Sequence, residues 1–278
     1  MSEITGSFFI HDRQLKRIEL FSEFYKTHGI ALYEVIRIMD GIPVFYSDHI
    51  ERLNKSALLA NCKLFLSNQE IETEVLRLIQ VNTISNGNIK IVFNYPPKEA
   101  RIPGIFQVFF VKSNYPISQQ YNMGVKTITM NVIRDNPNAK VFNHIVRSET
   151  TKRIVGDVYE VVLTNEQGLI TEGSMSNLFF IKEDQVFTAP LYLVLGGITR
   201  KYIIDCCRRL LLNVIEQAVD MNDLQLYDAV FLSGTSPKVL PVSSINKNNF
   251  DVKNKILQLI MKEYDDLLQK EIGPDHKF

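Results

Sequence analysis

Residues 172–200, EGSMSNLFFIKEDQVFTAPLYLVLGGITR, carry the features on which the reading of this chain turns. Glu172 is a single carboxylate in a run of small residues, Gly173, Ser174 and Ser176, set directly before an apolar strand at 178–181. Small residues there let a backbone or a flat ligand approach closely. Downstream, Gly196, Gly197, Ile198 and Thr199 lead into a helix from Lys201. The unpaired N–H groups of such a helix start form an anion site, with phosphate as its commonest guest. Ser233-Gly234-Thr235 makes a second turn of this kind. One carboxylate and two phosphate-type turns point to a ligand with a phosphate at one end and a basic nitrogen elsewhere.

Working outward, the 278 residues suffice for one large or two ordinary domains with ample core. The 31 basic and 31 acidic residues cancel, which argues against nucleic acid or an anionic membrane as partner. Cys62, Cys206 and Cys207 provide no disulfide framework and no zinc-type spacing, so no metal is expected. With no apolar signal region and no long apolar run, a cytoplasmic location is the expectation.

Taken in order, residues 8–28 read as a short strand around SFFI and then a helical stretch over 15–25. A strand at 32–39 turns at Asp40-Gly41, and Asp48 with Glu51 gives a capping-box start to a helix. Ser67 with Glu70 repeats that signal before a second helix with Ile71, Val75, Leu78 and Ile79 on one face. Strands at 89–93 and 105–111 complete an α+β domain, residues 1–112. The polar, proline-marked stretch 113–124 reads as a linker. Residues 125–278 then form a larger α/β domain. Its strands are expected at 125–133, 160–164, 178–181, 185–188 and 228–232, and its helices at 141–155, 201–212 and 252–270. Two such domains leave a cleft between them, and clefts of this kind are favoured cofactor sites.

The motifs EGSMSN, GITR and FLSGTSPKVLPV (231–242), with LYEVIRIMDGIPVFYSDHIERLNKSA (32–57) upstream, resemble the class IV (fold-type IV) pyridoxal-phosphate enzymes. That family includes branched-chain and D-amino acid aminotransferases and aminodeoxychorismate lyase. The resemblance covers most of the chain between residues 32 and 242. It implies the two-domain D-amino acid aminotransferase-like fold, pyridoxal 5'-phosphate as cofactor, an amino acid or keto acid substrate, and a homodimer.

Such chemistry needs a lysine amine to hold the cofactor aldehyde as a Schiff base. It also needs a carboxylate to keep the pyridine nitrogen protonated. Lys140, with Asn143 three residues on, matches the family's lysine position. The stretch after Asn143 is shorter than the family's, which keeps Lys152 as the alternative. Glu172 matches the carboxylate, within a motif that also brings Ser176 and Asn177 to the cofactor. Phosphate falls to Ile198, Thr199, Ser233 and Thr235, with charge from Arg52, the arginine of the family's H-x-x-R pattern beginning at His49. His49 itself reads as a structural histidine.

On the substrate side Tyr33, Val35 and Arg37 alternate on one strand face. Tyr33 in YEV is similar to the D-amino acid enzymes, and Arg37 suits a carboxylate. The arginine-x-histidine pair of those enzymes is missing where this chain reads Phe93-Asn94-Tyr95-Pro96, and Arg101 in the next loop is its substitute. Amino-group transfer is the expected activity. Pyruvate elimination by an aminodeoxychorismate lyase is the alternative, and a family member without turnover stands behind both.

Overall fold

The computed structural model describes residues 4–25, 29–97, 103–132 and 137–273, which fall into two compact units. The first comprises the chain up to Asn114 together with Ala139–Phe142 and the residues from Glu271 onward; the second comprises Tyr115–Asn138 with Asn143–Lys270.

The first unit is built on an antiparallel six-stranded sheet. Its chain runs β1 (Ile4–His11), β2 (Gln14–Arg17), α1 (Phe21–Phe24), β3 (Ile30–Met39), β4 (Ile42–Pro43), α2 (Tyr46–Leu59), α3 (Asn68–Asn82), β5 (Gly87–Tyr95) and β6 (Ile105–Val111). The spatial order is β2-β1-β6-β5-β3-β4. Alternation along β3 sends Leu32, Ile36 and Ile38 into a core shared with Leu53 of α2 and with Ile71, Val75 and Leu78 of α3. Ser67 caps α3 through the expected capping box with Glu70.

Two expectations for this unit need correction. Residues 15–17 are strand, because Asp12 and Arg13 turn the chain at positive φ and lay Gln14–Arg17 back along β1; the helix that follows is only Phe21–Phe24. Asp48 does not cap α2 either. That helix starts at Tyr46 after a left-handed Phe45 with no side-chain cap, which places Asp48 in the first turn, where its charge complements the positive end of the helix dipole.

The second unit holds a ten-stranded mixed sheet, ordered β12-β11-β10-β14-β15-β7-β8-β9-β13 with β16 beside β15. Its elements are α4 (Ser118–Met123), β7 (Val125–Asn131), α5 (His144–Arg153), β8 (Val158–Thr164), β9 (Leu169–Gly173), β10 (Asn177–Lys182), β11 (Gln185–Thr188), α6 (Ile198–Arg209), β12 (Asn213–Glu216), β13 (Val219–Asp220), β14 (Ala229–Gly234), β15 (Lys238–Ile245), β16 (Asn248–Asn249) and α7 (Lys255–Glu271). β7 pairs in parallel with β8 and β15, and β11 with β12. Leu178, Phe180, Val230, Leu232, Leu240 and Val242 interdigitate in the core.

The stretch expected as linker holds α4, tied to the sheet by a hydrogen bond from the Tyr121 hydroxyl to the Pro237 carbonyl (3.0 Å). The helix expected from residue 141 begins at His144, with Asn143 as its cap accepting from the Val146 amide at 3.0 Å. Residues 141 and 142 belong instead beside β3. The expectation for 178–181 began the apolar strand after Glu172; Glu172 itself lies within a further strand, β9.

Candidate active site

In the first unit Lys140 lies on a short segment that adds itself to the open edge of β3. Val141 bridges Leu32, the Lys140 carbonyl accepts from the Tyr33 amide (3.2 Å), and the Phe142 amide donates to the Ala31 carbonyl (2.9 Å). On its other side the Lys140 amide donates to Ser56 Oγ of α2 at 3.1 Å. The pairing turns Val141 toward the core and puts Lys140 on the face of Tyr33, with Lys140 Nζ 4.9 Å from that ring's centroid. A half-buried lysine with a pinned backbone is the result. Lys152 has a different setting: it is exposed on α5 and paired with Glu149 at 2.7 Å.

Tyr33 is packed edge-on against Phe142, and Lys90 of β5 approaches both rings, at 4.9 and 4.8 Å. Lys90 was not anticipated. A lysine inside the apolar strand NIKIVF is the signal that could have found it, since lysine is seldom placed in such a run without a partner. Arg37 follows Tyr33 and Val35 on the same face of β3. Arg101 lies outside the described residues.

The opposite face of β3 carries Glu34, fully buried, whose oxygens accept from Arg52 Nε (2.8 Å), Arg52 Nη2 (2.6 Å) and His49 Nδ1 (2.8 Å). Arg52 is therefore oriented by the buried Glu34. Burial alone would raise the Glu34 pKa; the charge and hydrogen bonds of Arg52, with those of His49, outweigh it and bring the value down to about 2. Burial lowers His49, and the charges of Arg52 and Lys140 add to that against the pull of Glu34. His49 is a core residue of this network.

In the second unit Glu172 lies near the end of β9, 3% exposed, with Oε2 accepting from the Leu195 amide at 3.1 Å. Asn177 donates from Nδ2 to the carbonyl of the same Leu195 (2.9 Å). A Cβ at Gly197 would lie 2.1 Å from Asn177 Oδ1, so a side chain there would displace Asn177. Gly197 is also the N-cap of α6 and offers no side chain to the helix start, so the buried Ile198 and Thr199 open the helix without a side-chain cap. Ser233 is buried near the end of β14, its hydroxyl 3.5 Å from the Asn177 carbonyl, and Thr235 follows it half-buried.

Ser176 is turned inward, its hydroxyl donating to Glu160 Oε1 of β8 (3.0 Å). Glu160 also accepts from the Met175 amide at 2.6 Å. Burial pushes its pKa up to about 7, against the downward pull of these donors and of the Arg147 charge. Glu160 is not among the residues that the sequence motifs single out, whereas Glu172 is. A glutamate within the apolar run VYEVVLT was the available signal.

Comparison with known proteins then bears on both units. The family model described as "Amino-transferase class IV" matches residues 31–245. This chain belongs to that family. A D-alanine aminotransferase of Bacillus licheniformis is 28% identical over 228 residues, covering 78% of this chain and 80% of that protein. A probable branched-chain-amino-acid aminotransferase of Thermotoga maritima is 32% identical over 235 residues, 83% of this chain and 82% of the relative. The aminodeoxychorismate lyase of Bacillus subtilis is 23% identical over 253 residues, 85% and 86% of the two chains. In fold, the chain superposes on a branched-chain amino acid aminotransferase of Escherichia coli at a TM-score of 0.84, with 23% identity and 98% and 97% coverage. As a class IV aminotransferase family member the chain is an enzyme of a family that uses pyridoxal phosphate.

The residues present fit that cofactor. The buried Glu172 suits a protonated ring nitrogen, the side-chain-free start of α6 suits a phosphate, and the buried Ser174 hydroxyl has no hydrogen-bond partner among the described residues. No described helix is long and apolar enough to cross a membrane.

Proposed function

We propose that this chain is an aminotransferase that moves an amino group between an amino acid and a 2-keto acid, with Lys140 as its catalytic lysine. The observation that carries the proposal is the pinning of Lys140 on the edge of β3, which delivers one amine beside Tyr33 with its backbone bonded on two sides. Bound pyridoxal phosphate supplies an aldehyde carbon for that amine and a ring that accepts electron density from the substrate α-carbon. Lys140 Nζ is the amine that would hold the cofactor's aldehyde carbon, with loss of water. Freed by the substrate amine, it would carry the proton from the substrate α-carbon to the former aldehyde carbon.

Glu172 holds a proton on the ring nitrogen by Coulomb attraction, and the Leu195 amide fixes the direction of its carboxylate. The amides of Ile198 and Thr199, with the hydroxyls of Ser233 and Thr235, take the phosphate, while Asn177 braces the loop that leads into them. Arg52 adds positive charge and is oriented by Glu34. Ser176 acts at one remove, through Glu160. Tyr33 and Arg37 meet the substrate, and Arg101 keeps the carboxylate role that the sequence suggested for it. The assembly proposed is a homodimer in the cytoplasm, and light scattering of the purified protein checks its state.

The test is borohydride reduction of the protein with pyridoxal phosphate, followed by peptide mapping. A pyridoxyl group on Lys140 supports the proposal; one on Lys152, or none, overturns it. Single amino acids offered with a keto acid then identify the donor. Release of p-aminobenzoate from aminodeoxychorismate, without amination of any keto acid, would replace transfer by elimination.

A further inference from the structure

Beyond its bond to Ser176, Glu160 has no role assigned above, yet it is closely tied into the second unit. It stands on β8, 1% exposed and opposite Thr127 of β7, and reaches across to the turn between β9 and β10. There it accepts from the Met175 amide at 2.6 Å and the Ser176 hydroxyl at 3.0 Å. The turn closes on itself through the Gly173 amide and the Ser176 carbonyl (2.8 Å), and on β8 through the Ser174 amide and the Val161 carbonyl (2.8 Å). A Cβ at Gly173 would lie 2.4 Å from both Glu160 Oε1 and Ser176 Oγ, so a side chain there would push this pair aside.

The residues flanking this turn are Glu172 and Asn177, and both reach the Leu195 peptide, one at its amide and the other at its carbonyl. Two residues later Gly197 caps α6. We infer that Glu160 is a positioning residue: its carboxylate pins the turn 173–176 and so holds Glu172 and the Leu195 loop in the register the cofactor needs. The functional half of this inference rests on the proposed function; the structural half does not.

Ionisation makes the pin adjustable. Hydrogen bonds to a carboxylate are stronger than those to a neutral carboxyl, and burial places the Glu160 transition at about 7. The surrounding groups are Arg147 of α5, which favours the charged form, and Tyr159 beside it, with Tyr121 next to that ring. On the neighbouring strands are Glu172 of β9 and Lys126 of β7, the latter paired with Asp157. Because these donors lower a pKa that burial raises, a local opening of the turn that leaves Glu160 buried is resisted more firmly above neutral pH than below it, even though ionising this buried carboxyl costs the folded state as a whole.

The experiment is amide hydrogen exchange at Met175, Ser176 and Leu195 in cofactor-free protein between about pH 6 and 8.5, where a buried carboxyl with a raised pKa changes charge. After correction for intrinsic rates, protection at Met175 rises about tenfold through neutrality in the wild type, as expected for gaining a charge-assisted hydrogen bond. It stays flat in Glu160→Gln. Glu160→Asp, which keeps the charge but is one methylene short, loses protection at all pH values. The same rising profile in Glu160→Gln as in the wild type overturns the inference.

Binding of pyridoxal phosphate, followed by absorbance over the same pH range, provides the second readout. The wild-type affinity strengthens relative to Glu160→Gln as pH rises through neutrality, and parallel profiles also overturn the inference. Failure of the wild type to bind the cofactor at any pH defeats the proposed function instead, and the exchange data alone then decide whether Glu160 holds the turn.

Discussion

Glu34 on β3 and Glu160 on β8 are both shut off from water, yet Glu34 falls to about 2 and Glu160 rises to about 7. Burial works in the same direction on each. The difference lies in what touches the oxygens. Glu34 receives a guanidinium through two nitrogens and an imidazole as well. Glu160 receives the Met175 and Ser176 amides and the Ser176 hydroxyl, with the Arg147 charge as its weakest support. Neutral donors satisfy the hydrogen-bonding capacity of a buried carboxylate without replacing the hydration energy of its charge. Glu34 therefore behaves as a permanent anion that anchors a framework, whereas Glu160 changes charge within the physiological range.

The most direct way to break this contrast is to remove the guanidinium. Arg52→Leu leaves the Glu34 charge buried with His49 alone, and we expect a loss of about 3–5 kcal/mol in urea unfolding at neutral pH. Pairing it with Glu34→Leu should recover much of that loss, because no uncompensated charge then remains.

Acid titration separates the two residues by sign. The Glu34 pKa is depressed from 4.5, so its contribution is present above that value and is lost as pH falls toward about 2. It is worth about 3 kcal/mol, and Glu34→Gln should abolish that part of the acid limb. The Glu160 pKa is raised, so its contribution is full below 4.5 and is lost as pH rises through about 7. Glu160→Gln should consequently be the more stable protein at about pH 8, by about 2 kcal/mol in thermal or urea unfolding, with the difference shrinking on acidification. The smallest effect is expected from Ser176→Ala. Loss of one donor to Glu160 should move its midpoint up by about one pH unit, readable by carboxyl-carbon NMR.

Periodicity made most of the framework legible. The alternation in LYEVIRIM, the 3.6-residue stripe of α3 and its Ser67–Glu70 cap are local patterns, and the structure keeps them. Where the reading failed, the deciding partner was remote. Residues 15–17 look helical alone, but pairing with β1 makes them strand. Asp48 and Glu51 have the spacing of a capping box, yet Phe45 starts the helix earlier. For the candidate site, motifs alone suggest Lys140 and Glu172. Neither the β3 edge that pins Lys140 nor Glu160 behind the EGSMSN turn has a local signature beyond a polar residue in an apolar run.

The bridge between Val141 and Leu32 also governs how the chain can be divided. Apart from the short pairing with β4 at its far end, that side of β3 is covered along Ala31–Tyr33 by residues 139–142. A truncated chain ending at Asn114 would keep the six strands but leave the Tyr33 amide and the Ala31 carbonyl without these partners. Such an exposed, apolar edge invites pairing with another copy. During synthesis the same edge waits until residue 142 has emerged, so the first unit is the earlier to be made and yet cannot be finished before part of the second.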